Sequence, residues 1–289
     1  MGQWTEYARL WQATMPGSTV KIYFVESEYF DRDGIYGNPE GYADNDRRFI
    51  FLSRALFEAA KALNITPDII HANDWHTAFT MPFLKLHYNN DSRFKHTAGV
   101  YSIHNAMFQG QADPKSILPL AGFDQALYYP GSPFEFYGSV NAMKTGITFA
   151  DKITTVSPTY ANEIRYTDQG YGMQLVLNAR GGDFIGILNG VDYCEWNPAV
   201  DSHIYTTYTP ESQGGKLVNK LAYLKEYGIP EHEAFADMPL IGMVTRLTDQ
   251  KGIDLVEQSL EHIMNNFPVR FTLIGSGAAR YENFFRHIG

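Results

Sequence analysis

Short β-rich apolar runs alternate along this chain with longer stretches of helical periodicity, and that rhythm leaves few folds open to it. The runs DIIHA (68–72), AGVYSIH (98–104), KITTVS (152–157) and FIGIL (184–188) are separated by helical patterns. Parallel strands need such crossovers, so the alternation predicts an α/β domain built on a parallel sheet. Phe51, Leu52, Ala55, Leu56, Ala59, Ala60 and Leu63 recur on one helical face after the candidate caps Asp44 to Asp46. Ser157-Pro158 opens a second helix, because proline's missing N–H costs nothing in a first turn.

The rhythm lapses between NGVDYCEWNP (189–198) and the polar stretch around Gly215, then resumes at PLIGMVT (239–245). This predicts an N-terminal Rossmann-like domain over 1–188, a hinge and linker over 189–238, and the start of a second Rossmann-like domain over 239–289. The second domain reads as strand, loop RLTDQKG, helix on Ile253, Val256, Leu260, Ile263, Met264 and Phe267, strand VRFTLIG and a further helix. Two strands are too few for a doubly wound sheet of five or six, so this domain reads as incomplete.

A net charge of -9 and the absence of any Lys/Arg-rich run argue against nucleic acid as a partner, since phosphate backbones are held by clustered cations. No apolar run reaches the ~18 residues of a membrane span. The start MGQWTEYARLW lacks the cationic and apolar segments of a secretory signal, and Glu6 spoils the myristoylation pattern. One cysteine, Cys194, cannot form an internal disulfide and is given no role.

Ligands of open α/β sheets bind at the carboxyl ends of the strands. Three loops are predicted there. RLTDQKG (246–252) carries Arg246 and Lys251, a planar fork and a compact point charge suited to a diphosphate; the plain alternative is a pair of solvated loop cations. HANDWH (71–76) carries Asp74, whose carboxylate can accept sugar hydroxyls. Its rivals are a metal site on His71, Asp74 and His76, whose spacing matches no familiar pattern, and a structural loop with Trp75 packed inside. SIHNAMFQGQ (102–111) places His104 at the same edge, where a neutral imidazole both donates and accepts; the alternative is a buried histidine satisfied by backbone. GSGAAR (275–280) is half a dinucleotide fingerprint with Arg280 where a third glycine would stand, either a phosphate-binding helix start or an ordinary turn. Lys144, in the helical NAMKTGITFADK, reads as a solvated lysine.

In order, HANDWHTAFTMPFLK, YSIHNAMFQGQ, ADKITTVSPTYANEI, GILNGVDYCEWNP and RLTDQKG closely resemble signature stretches of the bacterial and plastid starch/glycogen synthase family. The resemblance runs from YFVESEYFDRDGIYGNPEGYADND to FTLIGSG. It implies the GT-B architecture, two Rossmann-like domains facing a cleft, the second truncated here. It also implies retaining transfer of glucose from ADP-glucose to the non-reducing end of an α-1,4-glucan, with no metal or other cofactor, in bacterial cytoplasm or a plastid. Arg246 and Lys251 then correspond to the donor-phosphate ligands, His104 to a contact of the transferred glucose, Asp74 to a cleft carboxylate needed for activity, and Asn189 to a sugar contact near the hinge.

Two family features are not matched. The Lys-x-Gly-Gly loop has no counterpart before Tyr29, since the Gly-Gly pairs stand at 181 and 214, and the essential glutamate of the second domain falls beyond Gly289. The expectation is therefore a fragment, inactive alone. The rival readings are a glucan-binding relative without catalysis and a GT-B transferase for another nucleotide sugar, because an Arg-Lys clamp reads phosphate and not the base, so ADP and UDP stay open. No oligomeric state is implied.

Overall fold

Four parallel strands form the frame of the first unit in the computed structural model, which describes residues 2, 4–35, 37, 41–229 and 237–288. They are β3 (Ile69–Asn73), β4 (Ala98–Ile103), β8 (Lys152–Thr155) and β9 (Phe184–Gly186), side by side in that order. Each crossover carries the chain to the next position in the same direction. The register pairs Asn73 with Ser102, Ile103 with Thr155 and Thr155 with Gly186, so the carboxyl ends share one edge. All four are the strands expected from the apolar runs.

The helix α1 (Asn45–Ala62) buries Ile50, Ser53, Phe57 and Ala60 at three-and-four spacing on one face, so the buried stripe is rotated from the expected one, of which Phe51 and Ala60 are buried while Leu56 and Leu63 are exposed. Asp44 stands at its N-cap without accepting a cap hydrogen bond; its two oxygens instead take both terminal nitrogens of Arg32 at 2.6 Å. That bidentate pair outcompetes the expected cap. α5 (Pro158–Tyr166) begins as read from Ser157-Pro158, with the Ser157 hydroxyl accepting the Tyr160 N–H at 2.9 Å. Between β3 and β4 a single α-turn, α2 (Thr80–Pro82), passes into a π-helical turn over Phe83–His87. The core gathers Phe57, Phe83, Phe94, Tyr101, Ile103 and Met143.

Two small antiparallel features were not anticipated. β1 (Arg9–Thr14) pairs with β2 (Lys21–Glu26), and the segment 111–141 folds as β5 (Gln111–Ala112), α3 (Pro114–Ala121), β6 (Glu135–Phe136) and β7 (Ser139–Asn141), with sheet order β5-β7-β6. β5, β6 and β7, of two or three residues, carry too little alternation to register as a pattern, while the six-residue β2 contains the apolar run Ile22 to Val25, a strand signal that was passed over. β7 runs directly into α4 (Ala142–Phe149), and α6 (Gln174–Ala179) follows α5.

The chain divides into compact units Met1–Asn189 and Gly190–Gly289. Of the stretch expected as linker, 189–238, all but Asn189 therefore groups with the second unit, and it contains a helix, α7 (Gly214–Glu226). Tyr36 and residues 38–40 of the expected N-terminal signature stretch, and 230–236 of the expected linker, lie outside the described residues. In the second unit β10 (Leu240–Val244) and β11 (Arg270–Ile274) pair in parallel, with α8 (Ile253–Asn266) between them and α9 (Ala279–Ile288) after. The expected apolar face of α8 is buried at Ile253 and Leu260, while Met264 and Phe267 of that set are exposed. Among the described residues, no helix is long and apolar enough to cross a membrane.

Phe57 is fully buried, stacked on Tyr88 at 4.2 Å between ring centroids and edge-on to Phe94 at 5.1 Å. Phe57→Ala removes that ring from a packed cluster and is expected to cost about 3–5 kcal/mol, read as a lower urea midpoint. A shift of less than ~1 kcal/mol would mean that α1 does not anchor the core.

Candidate functional site

Asp74 and His104 meet because β3 and β4 pair in register and end together. The backbone passes from β3 into Asp74, whose N–H donates to the Ser102 carbonyl at 2.9 Å, and turns there at φ 62°, ψ 177°. That region belongs essentially to glycine, and an aspartate held in it stores roughly 1–3 kcal/mol of strain, which the surrounding structure must offset. The Asp74 carboxylate accepts the backbone N–H of His104 at 3.3 Å. Burial pushes its pKa above the ordinary carboxylate range, and the N–H groups of His104 and Asn105 offset part of that shift. The His104 Nε2 lies 3.0 Å from the Asn73 amide oxygen, so the imidazole is oriented by the residue before Asp74. Asn73 is the member of HANDWH that sequence reading passed over. Its signal was present only as position: the last residue of a strand at the ligand edge.

The other two histidine-loop readings resolve differently. His71 Nε2 is 2.6 Å from the Ser102 hydroxyl, which lies 2.5 Å from Thr154 Oγ1, a polar chain across three strands. His76 packs against Phe49 at 4.6 Å and Trp75 at 4.1 Å. A metal centre on His71, Asp74 and His76 is therefore not assembled, and no group of three or more metal-ligating side chains is gathered among the described residues. Trp75 packs at the core margin, and Gly110 meets it at φ 64°, where an added Cβ would lie 2.4 Å from the indole. The Gly110 position thus needs glycine twice over.

The loop that carries His104 is fixed from below by two buried amides. Gln109 donates from Nε2 to the carbonyls of Ala106 at 2.9 Å and Tyr171 at 3.1 Å, and its Oε1 accepts from Asn141 Nδ2 at 2.7 Å. Asn141 Oδ1 caps α4 by accepting the Lys144 N–H, and the Tyr160 hydroxyl accepts the Ala106 N–H at 3.0 Å. Every polar atom in this cluster has a partner, the condition under which buried polar groups confer a single conformation. Lys144, expected in solvent, is half-buried and donates to the carbonyls of Ser132 at 2.9 Å and Glu135 at 2.5 Å. Desolvation draws its pKa below the ordinary lysine value.

Arg246 and Lys251 share one loop of the second unit. Both are exposed, and neither has a side-chain partner among the described residues. Leu247 between them is buried with Ile253 and Tyr281, so the loop is pinned at one apolar point while its cations face outward. Backbone bonds from Leu247 to Ser276 and from Ala278 to Leu247, both 2.9 Å, zip RLTDQKG to GSGAAR. The fingerprint glycines serve this contact: a Cβ on Gly275 would lie 2.0 Å from the Thr245 oxygen and one on Gly277 2.3 Å from the Leu247 oxygen. At the start of α9 the Gly277 N–H is taken by Glu282, and Arg280 pairs with Asp249 and Glu257. The GSGAAR glycines thus serve backbone packing against RLTDQKG. Asn189, the last residue of the first unit, is exposed.

Comparison with known proteins adds a separate finding. A family model described as the starch synthase catalytic domain matches residues 1–179. A glycogen synthase of Pseudothermotoga lettingae is 41% identical over 96% of this chain, and glycogen synthase 2 of Geobacter sulfurreducens 44% identical over 93%. The catalytic domain of starch synthase IV from Arabidopsis thaliana, solved bound to ADP and acarbose, superimposes with a TM-score of 0.85 at 33% identity, covering 97% of this chain. This chain spans 56% of each of these three proteins. The fold class is the expected one, two α/β units of GT-B type with parallel sheets.

Two measurements follow from the site's electrostatics. Burial, with a smaller contribution from Arg48, lowers the His76 pKa to about 4, so the unfolded chain takes up its proton first. The stability His76 contributes is complete above about pH 6.5 and is lost as pH falls toward 4. The urea midpoint of the wild type should fall between pH 7 and pH 5 more steeply than that of His76→Gln; equal slopes would refute a neutral buried imidazole. The Tyr101 hydroxyl is fully buried and has no hydrogen-bond partner among the described residues. Tyr101→Phe should therefore leave stability unchanged or raise it by about 1 kcal/mol, and a loss would reveal a partner.

Proposed function

Because the chain belongs to the starch synthase catalytic domain family, we propose that its protein transfers glucose from ADP-glucose to the non-reducing end of an α-1,4-glucan with retained configuration. The observation that carries this reading is the junction of Asp74, Asn73 and His104 at the carboxyl edge of the sheet, inside the segment the family model matches. ADP in the Arabidopsis relative supports the donor, since ADP is what an ADP-sugar leaves behind.

In this mechanism the His104 imidazole, aimed by Asn73, contacts a hydroxyl of the transferred glucose. Asp74 accepts a second sugar hydroxyl from its strained, half-desolvated position, where a hydrogen bond is stronger than in water. Arg246 and Lys251 meet the charge that develops on the diphosphate as the glycosidic bond breaks, and fixed cations there lower the barrier without a metal. The attacking glucan hydroxyl approaches from the leaving-group face, and the departing diphosphate takes its proton. No second protein carboxylate of glycosidase type is needed. Asn189 contributes a further sugar contact. The setting implied is bacterial cytoplasm or a plastid.

This polypeptide alone is expected not to elongate maltoheptaose with radiolabelled ADP-glucose, since it spans 56% of its relatives. Turnover by the 289 residues would contradict that. In a chain extended to the relatives' length, ADP-glucose should support elongation. His104→Ala should reduce kcat by about a hundredfold or more, and Arg246→Ala should weaken donor binding about tenfold. Glucan retention without turnover in the extended protein would favour a binding relative, and preference for another nucleotide sugar would replace the donor.

A further inference from the structure

Two exposed tyrosines of the first unit occupy backbone positions that ordinarily belong to glycine or asparagine. Tyr137, at the tip of the β6–β7 hairpin, has φ 47° and is followed by Gly138 at 87°; Tyr171 has φ 46° and is followed by Gly172 at 88°. A side-chain-bearing residue other than Asn or Asp is disfavoured there, because its Cβ crowds the following carbonyl. Tyr137 is 87% exposed and Tyr171 45%, so core packing does not explain either ring.

The two turns abut. The Phe136 ring lies edge-on to Tyr137 at 4.7 Å between centroids, and a Cβ on Gly172 would lie 2.9 Å from its tip. The hairpin tip is held by Glu135, whose two carboxylate oxygens accept the N–H groups of Gly131 and Gly138, both at 3.1 Å. The Tyr171 turn is tied by its carbonyl to Gln109, hence to the loop that begins at His104 and exposes Phe108 (52%). Strained turns, a buried amide pair and a satisfied carboxylate thus fix a group of aromatic rings beside the loop of the candidate site.

We propose that Tyr137 and Tyr171 form an aromatic platform on which the glucan chain stacks as it leaves the His104 loop, an inference that rests on the glucosyltransferase reading above. A pyranose presents C–H groups on its faces and hydroxyls at its rim, which suits tyrosine's apolar ring and polar end. The two charged groups at the hairpin are both engaged with backbone, Glu135 with N–H groups and the adjoining Lys144 with carbonyls, and neither is left to grip a phosphate.

Asparagine suits a left-handed backbone better than tyrosine does, so Tyr137→Asn with Tyr171→Asn removes both rings without loading the turns. In calorimetric titration of the 289-residue chain with maltoheptaose, the double variant should bind at least about fivefold more weakly, with a urea midpoint equal to or above that of the wild type. The Tyr137→Phe, Tyr171→Phe pair, which keeps the rings, should bind within about twofold of wild type. Equal affinity in wild type and the asparagine variant would overturn the platform while leaving the glucan reading intact. No binding by the wild-type chain at millimolar maltoheptaose would also overturn the platform, while the glucosyltransferase reading stands or falls on turnover in the extended chain.

Discussion

The parallel register of β3 against β4 is the constraint on which the site depends. Asn73 faces Ser102 across the ladder, so the chain leaves both strands at the same height and the next residues of each are brought together. The Asp74 N–H then closes on the Ser102 carbonyl, the His104 N–H on the Asp74 carboxylate, and the His104 ring on the Asn73 amide. A slip by one residue would turn alternate side chains to the opposite face and separate these groups. The buried rings beneath the strands, Tyr101 and Phe57 among them, make that slip costly.

Conformational strain and polar satisfaction are paired here. Asp74, Tyr137 and Tyr171 all take left-handed backbone angles that their side chains disfavour. Beside Tyr171 lie two buried amides with their polar atoms satisfied, Gln109 and Asn141, which tie three separate segments to one another. That pair holds the Tyr171 turn, Glu135 holds the Tyr137 hairpin, and the β3–β4 junction holds Asp74, so each strained residue keeps one geometry, which is what a site needs in order to meet a ligand without reorganising. In the second unit the equivalent economy is apolar: Leu247 sinks into a small core and leaves Arg246 and Lys251 outward.

The family match spans 1–179, the part of the chain in which the motifs are densest and the sheet is widest. The second unit has only the β10–β11 pair among its described residues, with α7 seated by a 2.5 Å contact between Tyr223 and Thr272 hydroxyls. The loops zipped by Leu247 show what the small GSGAAR residues do in packing: they let one strand-end backbone pass another.

Alternation of apolar runs and helical faces, a local property, sufficed to place the four strands of the first sheet, the two of the second, and α1, α5 and α8. Position at a strand's carboxyl end marked the loops that carry Asp74, His104, Arg246 and Lys251, because that edge is a consequence of chain direction; the roles proposed for them come from the family resemblance. The two- and three-residue strands over 111–141 escaped because so short a run shows no periodicity, whereas β1, β2 and α7 were passed over although Ile22 to Val25 form an apolar run and Leu217, Leu221 and Leu224 recur at helical spacing. Which atoms meet was decided only by the tertiary fold. Asp44 turns from its helix to Arg32, Lys144 finds carbonyls instead of water, His71 joins Ser102 in place of a metal, and Asn73 reaches His104 across 31 residues. Such contacts are fixed by packing between segments remote in sequence, and a residue's type and neighbours along the chain do not encode which partner the folded backbone will bring within hydrogen-bonding distance.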